Sequence, residues 1–177
     1  EVVNNQLALT PSDNWNGTVN VSVTVSDSAS NEIGDELIDS EVFELTVNPI
    51  NDAPILAEVG SDTTNEDTPL TIALSASDVD GDDLIFSAQS YSENNVSVNV
   101  VGDQLTLTPA LNFNGAVDIS VAVSDGGFTD SEIFEFVVNS VNDAPILAEV
   151  GAVTTDEDTP LTIALSGSDV DGDNFSL

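Results

Sequence analysis

The chain has 177 residues, 33 of them acidic and none Lys, Arg or His, so its formal net charge is −33. That balance excludes nucleic acid and anionic membrane surfaces as electrostatic partners and favours divalent cations and cationic surfaces. The absence of His and Cys removes imidazole and thiol catalysis and all disulfides. Apolar residues make up 40% of the chain, enough for small β-rich cores, yet no apolar run approaches the ~18 residues that would insert in a membrane.

Residues 1–50 read as the C-terminal part of a repeat. Leu7-Ala8-Leu9-Thr10-Pro11 returns as Leu105-Thr106-Leu107-Thr108-Pro109, Trp15-Asn16-Gly17 as Phe113-Asn114-Gly115, and Val25-Ser26-Asp27 as Val123-Ser124-Asp125. A seven-residue insertion within Ser28 to Asp39 predicts a longer loop between the last two strands of this copy.

Residues 51–141 are a complete repeat, in which apolar residues alternate with small polar ones at the period of a half-buried strand. The pattern predicts strands at Pro54 to Val59, at Leu70, Ile72 and Leu74, at Leu84 to Ala88, and at Val96, Val98 and Val100. Three more follow at Leu105 and Leu107, at Val117 to Val123, and at Ile133 to Val138. Turn residues separate them: Asp80-Gly81-Asp82, Gly102-Asp103, Asn112 to Gly115 and Asp125-Gly126-Gly127. Residues 142–177 are the N-terminal part of the next repeat. Asn142 to Gly151 copies Asn51 to Gly60 letter for letter at an offset of 91, and Asp169-Val170-Asp171-Gly172-Asp173 copies Asp78 to Asp82. A period of this length is one domain. The predicted fold class is therefore all-β, a tandem array of Greek-key β-sandwiches of the immunoglobulin-like sort with about seven strands per repeat. Trp15 and Phe113, at equivalent turn positions, are expected to cap the cores.

The two end segments nearly add up to one further repeat. Two readings stay open: an excerpt of a longer array, or a head-to-tail self-association in which the incomplete terminal repeats of two copies complete a sandwich between them.

The acids cluster. Asp78-Val79-Asp80-Gly81-Asp82-Asp83 alternates carboxylates around a Gly turn and can aim several oxygens at one point, as hard cations require. Its spacing fails the EF-hand loop, because Gly81 comes too early and no Glu closes the run. Asn-Asp-Ala-Pro lies at each junction, Glu66-Asp67 about twelve residues past the junction Pro, and Asp125 at the end of a strand. In a sandwich these loops gather at the two ends, where acids of neighbouring repeats can converge.

The run Asp78-Val79-Asp80-Gly81, the strand end Val121 to Gly126, the linker Asn139-Ser140-Val141-Asn142-Asp143-Ala144-Pro145 and the turn Asn112 to Gly115 together resemble the cadherin repeat. The chain resembles more closely the cadherin-like tandem repeats of large bacterial surface and secreted proteins, over its whole length. The resemblance implies Ca²⁺ between repeats. Carried over position by position, it implies Asn48, Asn51, Asp52, Asp78, Asp80 and Asp125 as ligands at the first junction. At the second it implies Glu66, Asn139, Asn142, Asp143, Asp169 and Asp171. Four of these linker positions are Asn where cadherins carry more Asp, and the uncharged Asn112 to Gly115 stands where they place an acidic motif. Fewer charges imply fewer or weaker ions, with affinities of about 10⁻⁴–10⁻³ M.

The expected function is structural: a calcium-stiffened spacer or fibre segment, extracellular or at the cell surface, in a bacterial adhesin or matrix protein, with no catalytic role. Its expected partners are calcium ions and the neighbouring repeats. The alternatives are a module that recognises polysaccharide or another copy of itself, and an acidity that serves only to adapt the chain to high salt.

Overall fold

The computed structural model describes residues 2–27 and 37–176; the loop insertion expected after Asp27 lies largely outside the described residues. Every regular element among them is a strand. The first segment holds β1 (Val2–Val3), β2 (Gln6–Leu7), β3 (Gly17–Ser26) and β4 (Ile38–Val47). The middle segment holds β5 (Ile55–Leu56), β6 (Asp62–Asn65), β7 (Leu70–Ala73), β8 (Ala76–Ser77) and β9 (Ile85–Ser90). It continues with β10 (Val96–Val101), β11 (Gln104–Pro109), β12 (Gly115–Ser124) and β13 (Thr129–Asn139). The last segment contributes β14 (Ile146–Leu147) and β15 (Gly167–Ser168).

In the middle segment the strands form two main sheets, one ordered β10-β11-β7 and the other β6-β13-β12-β9, with β5 and β8 as a separate pair. Alternation along β12 turns Val117, Ile119, Val121 and Val123 inward, and Phe134, Phe136 and Val138 of β13 join them. Val96, Leu105 and Leu107 meet them from the opposite sheet, and Leu56, Val59 and Leu74 fill the flank. Each such side chain, fully buried, contributes about 1.5–3 kcal/mol. The outward positions of β12 are Ala, Asp and Ser, which suit a hydrated face.

The expected first strand, Pro54 to Val59, is in fact split. Only Ile55–Leu56 is strand, paired antiparallel with β8. The chain then passes to the four-stranded sheet, where Asp62–Asn65 lies parallel to β13, from Asp62↔Phe136 to Asn65↔Asn139. Asp-Thr-Thr-Asn has no apolar alternation, so its strand is set by the partner and not by its own pattern. The crossing is fastened by side chains. Asp130 and Glu132 lie opposite Val123 and Val121 and so stand on the inner face. Asp130 Oδ2 accepts the Leu56 N–H at 2.8 Å, and Glu132 Oε1 accepts the Val59 N–H. The strand expected at Leu84 to Ala88 runs instead over Ile85–Ser90, because its ladder with β12 continues to Ile119↔Ser90.

The end segments repeat this geometry. β3 and β4 pair from Gly17↔Val47 to Ser26↔Ile38, as β12 and β13 pair from Gly115↔Val138 to Ser124↔Thr129. β14 pairs with β15 as β5 pairs with β8.

Phe136 is fully buried at the centre of the middle core. Phe136→Ala is expected to cost about 3–5 kcal/mol in the denaturant unfolding of the middle segment; a loss below ~1 kcal/mol would contradict this placement.

Candidate metal centres at the junctions

Each centre starts from a local turn. Gly81 takes a left-handed φ of 78°, which folds the Asp78–Asp82 run back so that three backbone N–H groups point at one carboxylate. Asp78 Oδ1 accepts from Asp80 N at 2.8 Å, Gly81 N at 3.0 Å and Asp82 N at 3.4 Å. The copy behaves alike: Gly172 has φ 79°, and Asp169 Oδ1 accepts from Asp171 N and Asp173 N at 3.0 and 3.1 Å.

The linker is laid against that turn. The Asp52 N–H donates to Asp80 Oδ2 at 2.7 Å, and the Asp143 N–H donates to Asp171 Oδ2 at 2.6 Å. Asn51 Nδ2 donates to its neighbour's carbonyl, Asp52 O, as Asn142 Nδ2 does to Asp143 O. In the first centre Asn51 Nδ2 also donates to Asp125 Oδ2 at 2.9 Å, while Asp125 Oδ1 accepts the Gly127 and Phe128 N–H groups at 2.6 Å each. A β-carbon on Gly127 would stand 3.1 Å from Asn51 Nδ2, a tight contact that would press the amide away by a few tenths of an ångström. In the second centre Glu66, 5% exposed, donates its N–H to Asn139 O at 2.9 Å and accepts the Val141 N–H on Oε1 at 2.5 Å.

Two carboxylate clusters result. Glu66, Asp143 and Asp171 bring ligand oxygens within 4.8 Å of one another, and so do Asp78, Asp80 and Asp82. Oxygens held by one calcium ion at about 2.3–2.6 Å can lie up to ~5 Å apart across it. Two oxygens, Asp78 Oδ2 and Asp143 Oδ2, are buried without a hydrogen-bond partner. A buried carboxylate oxygen left unpaired is costly, and no cationic side chain exists to relieve it. The donor set is oxygen throughout, which suits a hard cation and not zinc or copper.

The electrostatics agree with the geometry. Burial, then the charges of Asp171, Glu66, Asp67 and Asp169, hold the Asp143 carboxyl above the usual carboxylate range. Burial, then Asp78, Asp80, Asp125 and Asp83, push Asp82 up in the same way. Asp125 moves down, because the N–H of Phe128, helped by the Asn51 amide and the Gly127 N–H, outweighs its burial.

The sequence-derived set is thus unevenly placed. Glu66, Asp143 and Asp171 converge from three stretches of chain, while Asp78 and Asp80 converge within one turn. Asp52, Asn51 and Asp125 are tied to that turn or to each other by hydrogen bonds. Asp169 organises its own turn, and Asn142 its own linker. Asn139 takes part through its carbonyl, and Asn48 lines an open cleft with Trp15, Asp52 and Asp80. Two further acids belong here. Asp82 completes the first cluster. Asp67 acts on Asp143 and accepts the Asn112 N–H at 3.0 Å, which fixes the Asn112–Gly115 turn beside the second centre. Phe113 packs against the core as expected. Trp15 lies over Gly17 as Phe113 lies over Gly115; it lines one groove with Val19, Val21, Leu45 and Val47 of its own segment and borders the first junction on its other side.

Residues 50–139 match the cadherin-like domain family. Chitinase A of Pseudoalteromonas piscicida is 25% identical over 124 residues, which cover 69% of this chain and 15% of that protein's length. Human protocadherin-24 EC1-2 is 24% identical over 56% of this chain and 50% of its own, with a TM-score of 0.45. Drosophila N-cadherin EC1-3 is 14% identical over 60% of this chain and 43% of its own, with a TM-score of 0.43.

Gly127→Ala is expected to dislodge the Asn51 amide from Asp125 and to cost about 0.5–1.5 kcal/mol, one hydrogen bond's net worth. The Asn51 side-chain amide resonances report it: unchanged shifts in the variant would refute the clamp.

Proposed function

The chain belongs to the cadherin-like domain family, and from that premise we propose that it is an extracellular structural module, a spacer segment whose junctions are stiffened by bound calcium. The observation that carries this reading is the pair of unpaired buried oxygens, Asp78 Oδ2 and Asp143 Oδ2, each in an all-oxygen cluster at a junction. Calcium bound there supplies the positive charge that the chain lacks. Glu66, Asp143 and Asp171 belong to the middle segment, the linker and the following segment. Without a counter-charge their mutual repulsion weakens the hold on those three stretches; neutralised, the same carboxylates strengthen it. The backbone N–H groups of Val141, Asp143 and Asp171 hold these stretches in place, so little order remains to be imposed on binding. A large secreted or surface protein of adhesin type is the setting that such a spacer fits.

A second reading has one observation in its favour, the partial likeness to a chitinase. On it, the module accompanies a polysaccharide-degrading enzyme and binds its substrate. Retention of the chain on insoluble chitin, against bovine serum albumin as a control, separates the two readings.

Thermal melts test the main reading. At 1 mM Ca²⁺ a site of Kd about 10⁻⁴ M adds ~1.4 kcal/mol of stability over EDTA. Glu66→Gln with Asp143→Asn is expected to abolish the share of the second junction, and Asp78→Asn with Asp80→Asn that of the first. Equal stabilisation by NaCl at matched ionic strength would sink the calcium reading and leave only charge screening.

A further inference from the structure

β6 and β13, the first long pairing and the last strand of the middle segment, are parallel neighbours. Load passing along the chain enters through the linker before Ile55 and leaves through the linker after Asn139. It therefore pulls β6 at its start and β13 at its end, in opposite directions along parallel strands. Their ladder bonds are loaded together in shear, whereas bonds pulled from a shared end are peeled one at a time. The ladder itself is short, four residue pairs, and parallel pairing is slightly weaker per residue than antiparallel.

Side chains lengthen it. Ahead of the ladder Asp130 and Glu132 hold the N–H groups of Leu56 and Val59. Behind it the Glu66 N–H reaches Asn139 O, and the Val141 N–H reaches Glu66 Oε1. Contacts between the entering and leaving stretches thus run from Leu56 to Glu66 on one side and from Asp130 to Val141 on the other. The two acids are an odd choice for packing alone. They share the inner face of β13 with Phe134 and Phe136, and a carboxylate at a core edge is unfavourable unless bonded. The same pair recurs one repeat earlier, with Asp39 opposite Val25 and Glu41 opposite Val23, as Asp130 is opposite Val123 and Glu132 opposite Val121.

We propose that residues 55–66 and 130–141 form a tension-bearing clamp in which Asp130 and Glu132 are the fasteners at the loaded end. The clamp lets the middle segment resist pulling along the array through its own bonds even when no ion is bound at the junctions. Resistance to pulling depends on the unfolding barrier, so it can exceed what equilibrium stability alone conveys.

Single-molecule force spectroscopy on the full chain, tethered at its termini in EDTA, tests this. The event is identified by the release of residues 54–141, about 3.4 Å per residue. Asp130→Ala with Glu132→Ala is expected to raise the unfolding rate at constant force about tenfold or more. Val98→Ala, on β10 away from the load path, is expected to raise it less than about threefold at a comparable equilibrium loss measured in denaturant. Equal acceleration by the two variants, or a wild-type rate in the double variant, overturns the clamp. A second geometry needs no destabilising change. The chain has no Cys, so Thr68→Cys gives a unique anchor just beyond β6. Pulling between that anchor and the C-terminus loads both strands from the same end and is expected to need about half the force or less for the same segment. Rupture at the end-to-end force would also refute the proposal.

Discussion

The constraint beneath the whole structure is the supply of hydrogen-bond donors to carboxylates. With 33 acids and no cationic side chain, the protein has only backbone N–H groups, amides and hydroxyls to offer them. In a sheet most N–H groups are already paired, so free ones occur at turns, strand ends and crossings. That is where the ordered acids lie. Asp78 takes the N–H groups of its turn, Asp125 those of the next hairpin, Asp67 that of Asn112, and Asp130 with Glu132 those of the strand crossing. Asp27 does the same in the first segment, accepting the Leu37 N–H across the loop at 2.8 Å. These acids therefore serve as local fasteners. Among the described residues the donors run out at Asp78 Oδ2 and Asp143 Oδ2, which are buried without a hydrogen-bond partner.

The same logic explains why the turns repeat so closely in space. Asn14 and Asn112 both have φ 56°, and the glycines that close their turns, Gly17 and Gly115, have φ 135° and 134°. Asp67 and Asp158 match at 58° and 62°. These conformations are set by short-range bonds and by residues that tolerate positive φ, so they recur in the first, middle and last segments. Long-range packing decides something else, namely which turns meet. Glu66 joins Asp143 and Asp171 because the parallel pairing of β6 with β13 carries it to the start of the linker.

What was legible in the sequence follows this division. The strands of the sandwich core could be read from their apolar alternation, and the turn motifs from Gly and Asp spacing. The strand at Asp62–Asn65 could not, because it carries no alternation and depends on β13 for its place. The linker and turn acids could be singled out as one group because the repeat aligns them, but the distances that join Glu66 to Asp171 are set by three-dimensional pairing alone. Asp130 and Glu132 gave no signal as fasteners. An acid alternating with apolar residues reads as an outward position, and only the register opposite Val123 and Val121 shows it facing in. Trp15 reads as a core aromatic like its counterpart Phe113 and lies with Val19, Val21, Leu45 and Val47, but its second contact, with the linker cleft of Asn48, Asp52 and Asp80, gave no signal.

Glu66 ties the junction to the body of the sandwich. Its backbone N–H and one carboxylate oxygen bind Asn139 and Val141, which ends the contact between the first and last strands. Its carboxylate also belongs to the cluster with Asp143 and Asp171. A side chain that is 5% exposed has little freedom to serve these roles in turn, so it serves them at once. Any displacement of the linker after Val141 moves the donor that orients Glu66, and any disturbance of Glu66 loosens the end of the β6–β13 contact. Order at the junction and order at the edge of the sandwich are therefore one structural variable. The linker from Val141 to Asp143 is thus held from one side by Glu66 and from the other by Asp171 of the Asp-x-Asp turn.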